Sequence, residues 1–308
     1  MERFPDNRRF AFTIFDDTDF STVENTGPVY EFINDLGMRT TKSVWPLPSV
    51  PESDIQGETL HDPEYLRFVL TLQERNFEIA LHNVRNFDSP RETVCSGLEA
   101  FRARMGEYPR CHTNHAENRD NLYWGAERAS TISLKLAFRV ADAARARPIA
   151  RGHIAGSSYF WGDICRERLS YVRSFSFREV NLDRINPTLP YKDPDRPLVN
   201  FWFTSSEGAN VNAFCKTIAE AEQDRLEEEG GVCIMYSHLS QGFCSGRSIH
   251  PRFRQLMTRL ARKKGWFVPV ATLLDHLQEG RSNATISRNE RAHMERRWLL
   301  EKLRNGTS

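Results

Sequence analysis

The sequence has almost no net charge. Its 42 lysines and arginines against 41 aspartates and glutamates leave +1 over 308 residues. A dedicated nucleic-acid binder carries a clear basic excess, so that class is excluded as the expected function. No apolar run reaches the roughly 18 residues that a membrane span needs. The opening Met1-Glu2-Arg3-Phe4-Pro5-Asp6 lacks the apolar centre of a signal peptide. Cysteine is sparse and scattered (Cys95, Cys111, Cys165, Cys215, Cys233, Cys244), with no C-x-x-C pair. That spacing excludes a four-cysteine zinc knuckle. Together with the missing export signal, it reads as reduced thiols in a cytoplasmic protein. No repeat or low-complexity tract is visible, which excludes a solenoid.

What is present supports a folded α/β protein. Hydrophobic residues make up 39%, with 20 Phe and 6 Trp, and the length suits one large domain or two small ones sharing a core. Short apolar runs alternate with helical patterns. Phe10 to Phe15 reads as a buried strand ending in Asp16-Asp17-Thr18-Asp19. Val29 to Leu36 reads as a helix stopped by Gly37, and Met38 to Trp45 as an extended segment. A helix from Pro63 to Arg75 precedes a strand over Phe77 to His82. Val94, Leu98, Phe101 and Met105 then form one helical face between Pro90 and Met105. Val199–Thr204 and Gly231–His238 read as strands, with a single helix from Asn212 to Glu229 between them. A helix from Pro251 to Lys264, a short strand at Trp266–Val270 and a helix through Leu277 follow. Ala137 to Pro197 reads as loops and short strands. Gly280 to Asn283 reads as a linker that separates a unit over 1–280 from a charged helical extension over 281–308. The alternation favours parallel βα units, in a barrel or a doubly wound sheet.

Three strands end in polar groups. Phe15 is followed by Asp16 and Asp17, Leu81 by His82, and Ser237 by His238. In βα folds such strand ends converge on the active site, and Asp and His there supply metal ligands and proton donors. Each alone is also an ordinary loop or capping residue.

In that order and spacing, these residues resemble the polysaccharide deacetylases, the carbohydrate esterase family 4 superfamily. Phe15-Asp16-Asp17 is similar to the family's first motif, and Glu78-Ile79-Ala80-Leu81-His82 to its second. Tyr236-Ser237-His238-Leu239 is similar to its catalytic-histidine motif, and Gly265-Trp266-Phe267-Val268-Pro269 to its closing strand. The resemblance spans roughly residues 8–278. It implies a distorted (β/α) barrel with fewer than eight strands and a metal-dependent hydrolase that removes an N-acetyl group from a sugar. The implied roles are Asp17 and His82 as ligands of a divalent metal (Zn2+), Asp16 as the base that activates water, His238 as the acid, and Asp163 as the group that orients His238. Two departures stand out. Thr18-Asp19 replaces the usual Gly-Pro, and Asn86 stands where the family carries a second metal-binding His. An amide oxygen is a poor zinc ligand. Arg110-Cys111-His112-Thr113-Asn114-His115 offers a replacement, and His115, past the strand end, is preferred over His112.

The expected substrate is an N-acetylated sugar, as a nucleotide- or lipid-linked conjugate in surface-polysaccharide assembly, handled by a cytoplasmic protein that could form a homo-oligomer. Two alternatives stay open: a carbohydrate-binding barrel that has lost catalysis, suggested by Asn86, and a glycoside hydrolase using paired carboxylates, with Asp163 as second acid.

Overall fold

A computed structural model describes residues 3–116, 118–144, 149–279 and 284–305. The linker expected at Gly280–Asn283 lies outside the described residues. Seven parallel strands form a closed barrel: β1 (Phe10–Asp16), β2 (Thr41–Val44), β3 (Glu78–His82), β4 (Cys111–Thr113), β5 (Tyr171–Phe177), β6 (Phe201–Glu207) and β7 (Val232–Ser237), with β7 pairing back onto β1. One edge of β1 is shared. Its first residues pair with a two-residue strand at Gly265–Trp266, and its last two, Phe15 and Asp16, pair with Thr41 and Lys42 of β2. The expected barrel of fewer than eight full strands is the architecture observed.

Side-chain alternation sorts each strand into two environments. On β1, Phe10, Phe12 and Ile14 enter the cluster shared with the surrounding helices, whereas Ala11 and Phe15 join the cluster filling the barrel. The same parity carries Ala80 and Cys111 inward and Ile79 and Leu81 outward. The helices outside are α1 (Val23–Asp35), α2 (Pro63–Glu74), α3 (Arg91–Met105), α4 (Ile132–Ala144), α5 (Gly162–Arg168), α6 (Val211–Thr217), α7 (Glu220–Glu229), α8 (Pro251–Ala261), α9 (Val270–Glu279) and α10 (Arg288–Asn305).

Three local expectations are corrected. α1 begins six residues before Val29, because Thr22 and Asn25 form a reciprocal capping box there: Asn25 N–H donates to Thr22 Oγ1 and Thr22 N–H to Asn25 Oδ1. The single helix expected over Asn212–Glu229 is two helices, since Ala219 is extended (φ −57°, ψ 162°) and restarts the chain as α7. The stretch from Ala137 to Pro197, expected as loops and short strands, contains the end of α4, helix α5 and the seven-residue β5, whose inward Arg173 interrupts its apolar pattern. Helix α10 buries Met294 and Trp298 in the outer cluster and ties Arg291 to Asp193 and Glu295. None of the described helices is long and apolar enough to cross a membrane.

Candidate metal centre and active site

The carboxyl ends of β1, β3, β4 and β7 bring four titratable side chains together. Asp19 comes from the turn after β1, His82 ends β3, His115 lies two residues past β4, and His238 follows β7. The ligand atoms of Asp19, His82 and His115 all lie within 4.8 Å of one another. His82 Nε2 is 2.9 Å and His115 Nε2 3.8 Å from Asp19 Oδ1. Ligands held about 2.0–2.1 Å from a tetrahedral ion sit roughly 3.4 Å apart, and these two spacings bracket that value.

The tautomers fit the same reading. His82 Nδ1 meets the Thr113 carbonyl at 3.3 Å and His115 Nδ1 meets Asn118 Oδ1 at 2.9 Å. Both partners are acceptors, so each ring carries a proton on Nδ1 and presents Nε2 to Asp19. A ring nitrogen 2.9 Å from a carboxylate oxygen needs positive charge between them, a proton in the metal-free protein or a cation in the loaded one. Neither His82 Nε2 nor Asp19 Oδ1 has another hydrogen-bond partner among the described residues. This donor set therefore fits a divalent cation. Acceptors on the far ring nitrogens are the usual supports of histidine ligands.

Burial opposes the charge of Asp19, but the charges of His82 and His115 and the hydrogen bonds from His238 and His82 outweigh it and hold the carboxyl well below its usual range. His238 meets the other oxygen of the same carboxylate. Its Nδ1 meets the Ala209 carbonyl at 2.9 Å and its Nε2 meets Asp19 Oδ2 at 3.1 Å, so both nitrogens face acceptors. Burial disfavours the imidazolium, but the hydrogen bond and charge of Asp19, with the charge of Asp17 and the Ala209 carbonyl, raise its pKa to about 9.

No protein-family model and no curated protein matches the sequence. Solved structures do match in fold. A protein assigned as a polysaccharide deacetylase from Mycobacterium smegmatis superposes with a TM-score of 0.55 at 11% identity, covering 92% of this chain and 96% of that one. The PuuE allantoinase gives 0.53 at 10% identity, covering 90% and 93%. A second protein assigned as a polysaccharide deacetylase, from Pseudomonas aeruginosa PAO1, gives 0.53 at 11% identity, covering 90% and 94%. The chain has the polysaccharide deacetylase fold.

Within that fold the expected site residues are distributed unevenly. His82, His115 and His238 meet at the centre, but the carboxylate among them is Asp19, not Asp17. Asp17 faces the barrel interior, where Arg173 of β5 holds it through two hydrogen bonds of 2.8 and 2.5 Å; Arg173 also stacks over Tyr236 at 4.3 Å. Asp16, one residue earlier, has the opposite parity and points to the helical layer. There its carboxylate accepts from Lys42 Nζ (3.0 Å), Tyr30 Oη (2.9 Å) and Leu239 N (2.8 Å), fully buried. Asp163 does not reach His238; it lies at the surface, paired with Arg91 at 2.7 Å. His112 faces outward, edge-on to Trp161, as its three-residue offset from His115 implies. Asn86 bonds to the β2–α2 loop. Asp19, Arg173 and Lys42 escaped the sequence reading. The signal for Asp19 was the Thr18-Asp19 replacement itself, since Asp19 shares strand parity with Asp17. The signal for Arg173 was an arginine within Tyr171-Val172-Arg173-Ser174-Phe175.

Proposed function

We propose that the protein is a metal-dependent amide hydrolase that removes an N-acetyl group from a sugar or sugar conjugate in glycan biosynthesis. The observation that carries this reading is the convergence of Asp19, His82 and His115 beside His238. Three protein ligands are the complement of a catalytic rather than a structural zinc site. When bound, a divalent ion such as Zn2+ supplies Lewis acidity, acidifying a water and polarising the acyl carbonyl.

The chain's own groups divide the proton work. Asp17 is the inward-facing carboxylate near His238, and Arg173 fixes its orientation; we assign it the removal of a proton from the attacking water. Asp16 is fully engaged by Lys42, Tyr30 and Leu239 and is assigned an anchoring role instead. His238 holds a proton on each nitrogen and delivers one to the departing amine as the C–N bond breaks. The glycoside hydrolase alternative needs two carboxylates facing each other across a bond, and Asp163 on the outer surface does not supply the second.

The test is acetate release from N-acetylglucosamine and its short oligomers by the zinc-loaded protein. Release that is abolished in Asp19→Asn supports the assignment. No release from any acetylated sugar, or release indifferent to Asp19→Asn, overturns it.

A further inference from the structure

Asn86 occupies a position that the centre does not use, and its side chain is fully committed elsewhere. Its Oδ1 accepts from Val50 N at 2.7 Å, while its Nδ2 donates to Ile55 O at 2.7 Å and Val50 O at 3.3 Å. One amide, 1% exposed, thus fastens two points of the segment 46–59, which carries Pro46, Pro48 and Pro51. The far edge of that segment is bonded to the turn that carries Asp19: Phe20 N–H donates to Gln56 O (2.7 Å), Glu58 N–H to Ser21 O (2.8 Å), and Val23 N–H to Glu58 Oε2 (2.6 Å). At Gly57 the approach is so close that a Cβ would lie 3.1 Å from the Trp45 ring and 3.2 Å from Thr18 O. Trp45, at the root of the segment, stacks on His82 at 6.3 Å and stands edge-on to His115 at 5.9 Å. The segment therefore bridges the loops bearing Asp19 and His82, with the Trp45 ring against both histidines.

We propose that Asn86 is the pin of a closed wall that controls entry to the centre, and that the pinned wall restricts the site to single acylated residues or chain ends. The exposures agree. His115 and His82 are 0% and 2% exposed, and Asp19 and His238 only 9% and 8%. An amide suits the task because one side chain must both accept and donate, which a carboxylate does not do when ionised. The substrate clause rests on the function proposed above; the wall itself does not.

The variants are Asn86→Ala, Asn86→Asp, which keeps the acceptor but loses the donor, and Asn86→His. Three measurements follow. In the metal-free protein, amide hydrogen exchange over residues 47–57 accelerates about tenfold in Asn86→Ala and less in Asn86→Asp, as expected when a buried clamp is removed. Zinc release to a chelator accelerates about tenfold, while the equilibrium zinc affinity of all three variants stays within about twofold of wild type, because no ligand is touched. Acetyl release from an N-acetylglucosamine oligomer rises relative to the monosaccharide. Unchanged exchange and release rates in Asn86→Ala would overturn the proposal. So would a loss of equilibrium affinity like that of His82→Ala, or a gain in Asn86→His, either of which would make position 86 a ligand position. If the wild type takes up no zinc, the proposed function falls, and the hydrogen-exchange comparison still decides whether Asn86 pins the wall.

Discussion

Lys42 Nζ donates to Asp16 Oδ2 at 3.0 Å with both side chains wholly removed from solvent. Burial disfavours the lysine's charge, but Asp16 more than offsets it and raises the Lys42 pKa. Tyr30 and Leu239 N complete the carboxylate's partners, so the pair joins the end of β1, β2, α1 and the loop that carries His238. Removing one member strands the other's charge in the interior. Lys42→Met is expected to lower stability by about 3–5 kcal/mol, and the double variant with Asp16→Asn to recover part of it. Urea unfolding of the two variants checks both.

Asp17 and Asp19 separate metal binding from proton transfer. Asp19→Asn is expected to lose stoichiometric zinc. Asp17→Asn should keep zinc within several-fold of wild-type affinity yet lower kcat by about 10²–10⁴, the range of a general base. Calorimetric zinc titration beside steady-state kinetics reads the two effects apart, and zinc loss in Asp17→Asn would reverse the assignment.

Asn118 fixes the tautomer of His115 through the 2.9 Å contact at Nδ1. Asn118→Ala is expected to weaken zinc binding about 10–100-fold, the usual effect of losing a histidine ligand's outer partner. Asn118→Asp retains an acceptor there and should restore much of the affinity. Equal losses in the two variants would show that the effect is not the hydrogen bond.

His112 gives a pH signature to stability. Burial, slightly offset by the hydrogen bond to Asn114 Oδ1, drops its pKa from 6.5 to about 3. Between those values the unfolded chain binds the proton and the folded one does not, so stability is lost as pH falls from 6.5 toward 3. Asp120, raised to about 7 by burial despite the hydrogen bonds from Asn83 and Ser89, acts in the opposite sense and loses stability as pH rises from 3.8 to 7. The His112 contribution is therefore measured by difference: the change in unfolding free energy from pH 7 to pH 5 should be less unfavourable in His112→Gln than in wild type.

Several elements were legible because one physical signal dominated each. Pro63 at a helix start and the 94, 98, 101, 105 spacing are local signals, and α2 and α3 fall within a residue of expectation. β1, β3 and β7 were legible as apolar runs ending in polar groups. β5 was not, because an inward arginine breaks its run, and that arginine is favourable only with Asp17 across the barrel. The break between α6 and α7 was equally silent, since Ile218 and Ala219 carry no breaker signal.

The sequence by itself determined the alternation of strands and helices and the placing of Asp and His at strand ends, because hydrophobic periodicity and chain-local preferences are properties of neighbouring residues. Which carboxylate meets His82 and His115 was decided only by the tertiary structure. Asp16, Asp17 and Asp19 lie within four residues, and a strand's alternation sends the first outward and the second inward. Their roles then follow from partners 26 and 156 residues away, Lys42 for Asp16 and Arg173 for Asp17. With those two carboxylates ion-paired to neighbours from β2 and β5, Asp19 is the one that meets His82 and His115.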